Sequence, residues 1–190
     1  ITYKEIFPLL KDGRMWLGNR SGAMKFRVPN DKKKPGLIVD PEGNKWQNFG
    51  NICWFTNLDY PKRHEDLILY KQYSPDLYPK YDNYDAIEVR KVSEIPVDYD
   101  GVMGVPITFL DKHNPDQFEI VGITKTWFGS ATKIYPQQTQ ISPDGEKSKV
   151  TKLNDGPVLQ LKNKPKGATY YKVGNNIYVQ AYARILIRKR

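Results

Sequence analysis

Cysteine, histidine and long apolar runs are what this sequence of 190 residues has least of. Its 1 cysteine, Cys53, excludes an internal disulfide and fits a reducing compartment. No export signal is visible in it, so a cytoplasmic setting is expected. No apolar run approaches the roughly 20 residues of a membrane span, and no membrane partner is expected. The 2 histidines, His64 and His113, lie far apart without cysteine partners, so no metal site is expected. No GxGxxG, Walker loop or Gly-rich turn after a strand is present. His113-Asn114 matches half of a nuclease signature and lacks the partner histidine. Asp31-Lys32-Lys33 supplies only the acid-x-Lys triplet of a restriction-nuclease site. Cys53 sits beside Ile52 and Trp54, which suits a small buried core residue better than a nucleophile needing an electropositive, accessible pocket. These residues point to no catalytic, cofactor-binding or metal-binding group in this chain.

What is plentiful is positive charge. Lys+Arg 30 against Asp+Glu 21 gives +9, and aromatics make up 13% of the residues. The pI is about 9.4 and the mean hydropathy −0.66. A basic, aromatic-rich domain has the profile of a nucleic-acid binder, with a merely soluble basic domain as the alternative. The distribution of charge favours the first. Lysines cluster at Lys32, Lys33, Lys34; at Lys147, Lys149, Lys152; and at Lys162, Lys164, Lys166. The tail ends Arg188, Lys189, Arg190. Three of these groups lie in Pro- and Gly-containing loops, where they suit phosphate contacts.

Local patterns predict short elements. Thr2-Tyr3-Lys4-Glu5 has capping-box spacing, with Ile6, Leu9 and Leu10 as an apolar face, Pro8 shortening the helix and Gly13 ending it. Strands are expected at Met15 to Leu17 and Lys25 to Val28. Leu37 to Val39 and Lys45 to Gln47 flank Asp40 to Asn44 as a hairpin. Ile52 to Phe55 runs apolar without alternation, which predicts a strand buried on both faces. Further strands are expected at Ala86 to Val89 and Phe118 to Ile123, with a helical turn over Ile107 to Lys112. Residues 72–85 and 129–157 read as polar loop. Thr169 to Val173 and Ile177 to Ile187 predict a C-terminal hairpin around Gly174 to Asn176.

Several long stretches, in order and spacing, are more specific. They are ITYKEIFPLLKDGRMWLG (1–18), NFGNICWFTNLD (48–59), YPKYDNYDAIEV (78–89), DYDGVMGVPITFLDKHNPDQFEIVGIT (98–124) and YARILIRKR (182–190). The chain resembles the C-terminal part of the EcoRI-type adenine-specific DNA methyltransferases over nearly its whole length, least over 125–168. The resemblance implies transfer of a methyl group from S-adenosylmethionine to the exocyclic amine of adenine in double-stranded DNA. It also implies that the cofactor loop and an Asn-Pro-Pro-Phe tetrapeptide lie upstream; the sequence contains no Pro-Pro pair. The expected partners are therefore duplex DNA and a separate N-terminal catalytic half, and the chain alone is expected to be inactive.

The fold class implied is α/β to α+β: the C-terminal edge of a Rossmann-like sheet, then a mostly β, loop-rich target-recognition region. The first part, 1–60, would hold a helix and the sixth and seventh strands, at 15–17 and 52–55, joined by a long insert over 19–50. Residues 61–190 would recognise the target. Phe26, Trp46 and Phe49 are the candidates to contact a flipped base. Asn83, Gln137, Gln138 and Gln140 are candidate base readers, since amide side chains match adenine edges; an Asn in a turn also caps backbone. A free-standing nucleic-acid-binding module without a methylation role is the second reading. An enzyme using Asp, Glu and Tyr is the third.

Overall fold

Pro8 decides where the only regular α-helix among the described residues begins. In the computed structural model, which describes residues 4–190, α1 spans Phe7–Lys11 with proline in its first turn. There the missing N–H costs no hydrogen bond. The capping box from Thr2 lies outside the described residues. Phe7 and Leu10 are buried, and Gly13, at φ 65°, lets the chain leave the helix end.

The chain then folds into a long ribbon. Strand β1 (Trp16–Val28) runs antiparallel to β3 (Lys45–Thr56), pairing Trp16 with Thr56 at one end and Val28 with Lys45 at the other. A short β2 (Ile38–Val39) adds to β3. The hairpin expected around Asp40 to Asn44 is present. Asp40 accepts hydrogen bonds from the Asn44 N–H at 2.7 Å and the Trp46 indole N–H at 2.8 Å. The expected insert over 19–50 is not a separate connection, because most of it is the two strands continuing outward through irregular pairing near Leu17–Met24.

Ile52 to Phe55 does form strand, but it is covered on one face only. Leu17, opposite Phe55, is buried, and Cys53 and Phe55 pack against the main core. Trp54, on the alternate face, is 55% exposed. The expectation of burial on both faces fails because no described element covers that side of the ribbon.

The rest of the chain builds two sheets. The first runs in the order β4 (Ile87–Glu88), β5 (Met103–Pro106), β12 (Arg184–Lys189), β6 (Phe118–Ile123), parallel only between β4 and β5. A 3-10 helix, Ile107–Lys112, fills the predicted helical turn. β12 is buried on both faces. Ile185 and Ile187 enter the main core with Phe7, Leu10, Leu17, Met103, Phe109 and Phe118, while Leu186 joins Tyr81, Tyr84 and Ala86 on the other side. The main core thus draws on both 1–60 and 61–190, so position 60 is no break in packing.

The second sheet has the order β8 (Lys147–Val150), β7 (Gln138–Ile141), β10 (Tyr170–Val173), β11 (Asn176–Gln180), β9 (Val158–Leu161), all antiparallel. Its β10–β11 hairpin turns at Gly174, φ 57°, as the sequence predicts. The predicted second arm, however, stops at Gln180, and β12 belongs to the other sheet. The segment 129–157, expected as irregular, contributes β7 and β8. Its lysines, threonine and glutamines hide the strand pattern, because only Ile141 and Val150 of the two strands are apolar. The described architecture is mostly β with one short helix, of the α+β kind.

Residues 82–84 tie the two sheets together. The Asp82 N–H donates to the Val158 carbonyl at 2.8 Å. The Asn83 amide donates to the Gly156 carbonyl at 2.9 Å, and its oxygen accepts from the Val158 N–H at 2.9 Å. Asp82 also accepts from the Tyr135 hydroxyl at 2.6 Å and pairs with Lys133 at 2.5 Å.

Candidate nucleic-acid interface

Strand register places the basic residues of the five-stranded sheet. Lys149 lies opposite Thr139, and Thr139 opposite Lys172, in one cross-strand row; Lys147, Ile141 and Tyr170 form the next. Directly paired residues share a face, and residues two apart in one strand share it too. These six side chains therefore stand on one side of the sheet. The other side carries Gln138, Gln140, Tyr171 and Tyr178; its tyrosines pack with Leu153, Val158 and Tyr135 into a second core cluster. The apolar face is spent on this core, which turns the lysine face outward.

The outward face is an open groove of about 540 Å³ whose lining includes Thr139, Ile141, Tyr170 and four lysines, Lys147, Lys149, Lys164 and Lys172. Lys164 comes from the connection between β9 and β10. The Lys149 ammonium donates to the Thr139 hydroxyl at 3.1 Å. Among the described residues none of the four lysines forms an ion pair, and no carboxylate lines the groove. Lysine stems can lie along Tyr170 and Ile141 while their heads stay in water.

The other predicted phosphate-contacting residues are dispersed. Lys32, Lys33 and Lys34 are exposed in the turn between β1 and β2, where the Lys32 carbonyl accepts from the Lys45 ammonium at 3.2 Å. Lys152, Lys162 and Lys166 are exposed but do not line the groove. The tail is largely neutralised locally. Arg188 pairs with Glu119 at 2.5 Å and Lys189 with Asp100 at 3.3 Å, while Arg190 is exposed.

The predicted base readers separate sharply. Asn83 is 1% and Gln138 0% exposed, and both amides are used internally. Asn83 makes the ties already described. Gln138 donates to the Pro136 carbonyl and accepts from the Leu153 N–H at 3.2 Å. Neither presents a polar atom to a base edge. Gln137 is exposed; Gln140 is half-buried on the core side. No sequence signal separates an amide that bonds backbone from one that faces solvent.

On the ribbon, Phe26 and Phe49 meet edge-on at 5.7 Å, and Trp54 adds to them at 6.3 Å from Phe26. Phe49 and Trp54 are exposed. Trp46 belongs to the opposite face, under the Lys25 ammonium at 5.1 Å and tied to Asp40. That indole hydrogen bond, joined by Asn44, holds the Asp40 carboxyl below its usual range. So two of the three flipped-base candidates come together and the third does not. Trp54 and Lys172 join these two groups without being singled out in the sequence. The alternation of Tyr170 to Val173 could have placed Lys172 beside Tyr170 on the polar face.

Among the described residues no strand runs through a glycine turn into an α-helix, and α1 has 5 residues. The residues do not fit S-adenosylmethionine on their own. No three metal-ligating side chains converge among the described residues.

Comparison with known proteins assigns the sequence. The family model described as adenine-specific methyltransferase EcoRI matches residues 1–190. The type II methyltransferase M.EcoRI of Escherichia coli is 49% identical over 131 residues, covering 66% of this chain and 40% of that protein. The type II methyltransferase M.MgeORF184P of Mycoplasma genitalium is 30% identical over 198 residues, covering 100% of this chain and 54% of that protein. The chain thus spans about half the length of the relatives it matches. No solved structure matches it.

Proposed function

The chain belongs to the EcoRI family of adenine-specific methyltransferases, and we propose on that premise that it is the DNA-recognition part of a type II restriction–modification enzyme. The parent reaction takes a methyl group from S-adenosylmethionine to N6 of adenine in duplex DNA. The observation that carries the reading is the family match over the whole chain. The ion-pair-free lysine face supports it, because neutralising phosphates is the sequence-independent part of DNA binding.

In this reading 1–60 forms the edge of the parent's Rossmann-like catalytic sheet, and 61–190 is the recognition region. The aromatic ledge of Phe26, Phe49 and Trp54, left uncovered among the described residues, is where the catalytic half docks or where a flipped adenine is received. Aromatic faces suit both, as they bury large apolar area and stack on a base. Trp46, on the far face, belongs to the ribbon's own packing. Without a cofactor cradle the chain acts only together with a catalytic half that binds S-adenosylmethionine.

The test uses the chain with labelled S-adenosylmethionine and an adenine-containing duplex. We expect no methyl transfer by the chain alone and retention of the duplex at low salt. Transfer by the isolated chain would overturn the division of labour. Absence of any DNA binding would favour a role outside DNA modification.

A further inference from the structure

We infer that the outer face of the five-stranded sheet is a seat for the phosphates of duplex DNA, which sets affinity and salt dependence but does not choose sequence. The inference rests on the reading above that this chain works on DNA. It assigns Lys172 and Thr139, which no clustering in the sequence singles out, and joins them to Lys147, Lys149 and Lys164.

Four observations carry it. First, the lysines form a lattice. Lys147 and Lys149 are two residues apart on one strand, about 6.7 Å, and Lys149 and Lys172 are two strands apart, about 10 Å. Each DNA strand carries a charge every ~3.4 Å of axis, so the 6.7 Å step spans two phosphates. Second, the positive charges are not cancelled. The groove contains no carboxylate, whereas Lys80, Lys91, Lys133 and Lys189 pair with acids elsewhere. Four ammonium groups converging on one groove repel one another until an anion enters. Third, the groove is open and runs across three neighbouring strands, β8, β7 and β10, so it suits a polymer lying across it. Fourth, its chemistry suits a backbone. Arg, Asn and Gln are absent from the lining, and its lysines and the Thr139 hydroxyl are donors of the kind that bond phosphate oxygens.

The two other basic surfaces fit less well. Two of the three tail cations are bound to Glu119 and Asp100, and the Lys32 to Lys34 turn presents charge without a groove.

The experiment is fluorescence anisotropy of a labelled duplex with the chain, from about 50 to about 200 mM salt. The variants are Lys149→Gln/Lys172→Gln and, as an equal charge change elsewhere, Lys11→Gln/Lys91→Gln, with circular dichroism melting of each. Each lost phosphate contact flattens the slope of log K against log salt by about 0.9. The groove pair should therefore lower the slope by about 1.8, so that the fourfold salt rise costs about 12-fold less affinity. The loss should be the same on duplexes of unrelated sequence, and the control pair should leave the slope in place. An equal change in the control pair, an unchanged slope in the groove pair, or a loss confined to one duplex sequence would each overturn the inference while leaving the DNA reading standing. Failure of the unsubstituted chain to bind duplex DNA in a salt-dependent way would overturn both.

Discussion

Replacing Asn83 with alanine distinguishes a base reader from a structural tie. The side chain is 1% exposed, and both ends of its amide are engaged at 2.9 Å, by the Gly156 carbonyl and the Val158 N–H. Those two backbone groups have no route to water, since Gly156 and Val158 are buried. Alanine leaves an orphaned acceptor and an orphaned donor, each costing about 1–3 kcal/mol. The sum, about 2 to 6 kcal/mol, is a large part of a typical domain's stability of about 5–15 kcal/mol. At about 2–4 °C per kcal/mol for a chain of this size, the melting temperature should fall by about 10 °C. Thermal melting followed by far-ultraviolet circular dichroism, with urea unfolding beside it, measures the loss. A melting point within about 2 °C of the parent, accompanied by altered sequence preference in DNA binding, would refute the tie and restore Asn83 as a reader.

Two further expectations concern charge. Arg184 pairs with the buried Glu88 through its Nε at 3.2 Å, and the Tyr81 hydroxyl also donates to Glu88. Arg184→Leu strands that carboxylate and should cost about 3–5 kcal/mol in urea unfolding, while Glu88→Met/Arg184→Leu should recover most of it; an Arg184→Leu variant as stable as the parent would sink the argument. His64 lies between Asp116 at 3.0 Å and Asp59 at 2.9 Å, so both ring nitrogens act as donors to carboxylates, which hold its pKa above the usual value. Because the folded value is raised, this clip is complete below the unfolded value near 6.5 and is lost as pH rises through the folded one. His113 behaves oppositely. Burial lowers its pKa, so its neutral form, hydrogen-bonded to the Phe118 carbonyl at 3.0 Å, is destabilised as pH falls below its unfolded value. Nuclear magnetic resonance titration should therefore resolve one histidine on each side of the ordinary value; two coincident titrations would contradict the geometry.

The elements that could be read from the sequence are those whose turn chemistry and alternation agree. Asp40 to Asn44 with Gly43 fixes its hairpin, Gly174 fixes another, and Phe118 to Gly122 alternates between buried and half-buried positions. What escaped reading depends on register or on partners distant in sequence. β7 and β8 carry only Ile141 and Val150 as apolar residues, so they resemble loop until paired with β10. Ile52 to Phe55 looks doubly buried because it is apolar throughout, but pattern alone cannot say whether something covers Trp54. The lysine clusters were visible, yet only pairing separates Lys147 and Lys149, which share a groove with Lys172, from Lys152, Lys162 and Lys166, which do not line it. At Asn83 and Gln138 the difficulty has one source: an amide that satisfies buried backbone has the same one-letter signature as an amide offered to a ligand.

The way the sheets are joined predicts where the molecule opens first. The ribbon and the four-stranded sheet share an apolar core in which Phe7, Phe109, Phe118, Ile185 and Ile187 are fully buried. The five-stranded sheet is attached differently, by the polar ties of Asp82 and Asn83 and a small cluster of Tyr81, Tyr84, Ala86 and Leu186 reaching Leu159. A hydrogen bond contributes a net ~1 kcal/mol, so polar ties are weaker than a large apolar core. The second sheet should therefore loosen as a unit before the first unfolds. Native-state hydrogen exchange tests this directly. Amides of β12 and β6 should open only with global unfolding, while those of β9 and β10 should exchange through a lower-energy opening that Asn83→Ala lowers further without touching β12. Equal protection of β12 and β10, falling together in the variant, would mean that the two sheets unfold as one. The tie at Asn83 would then be no weaker a joint than the core.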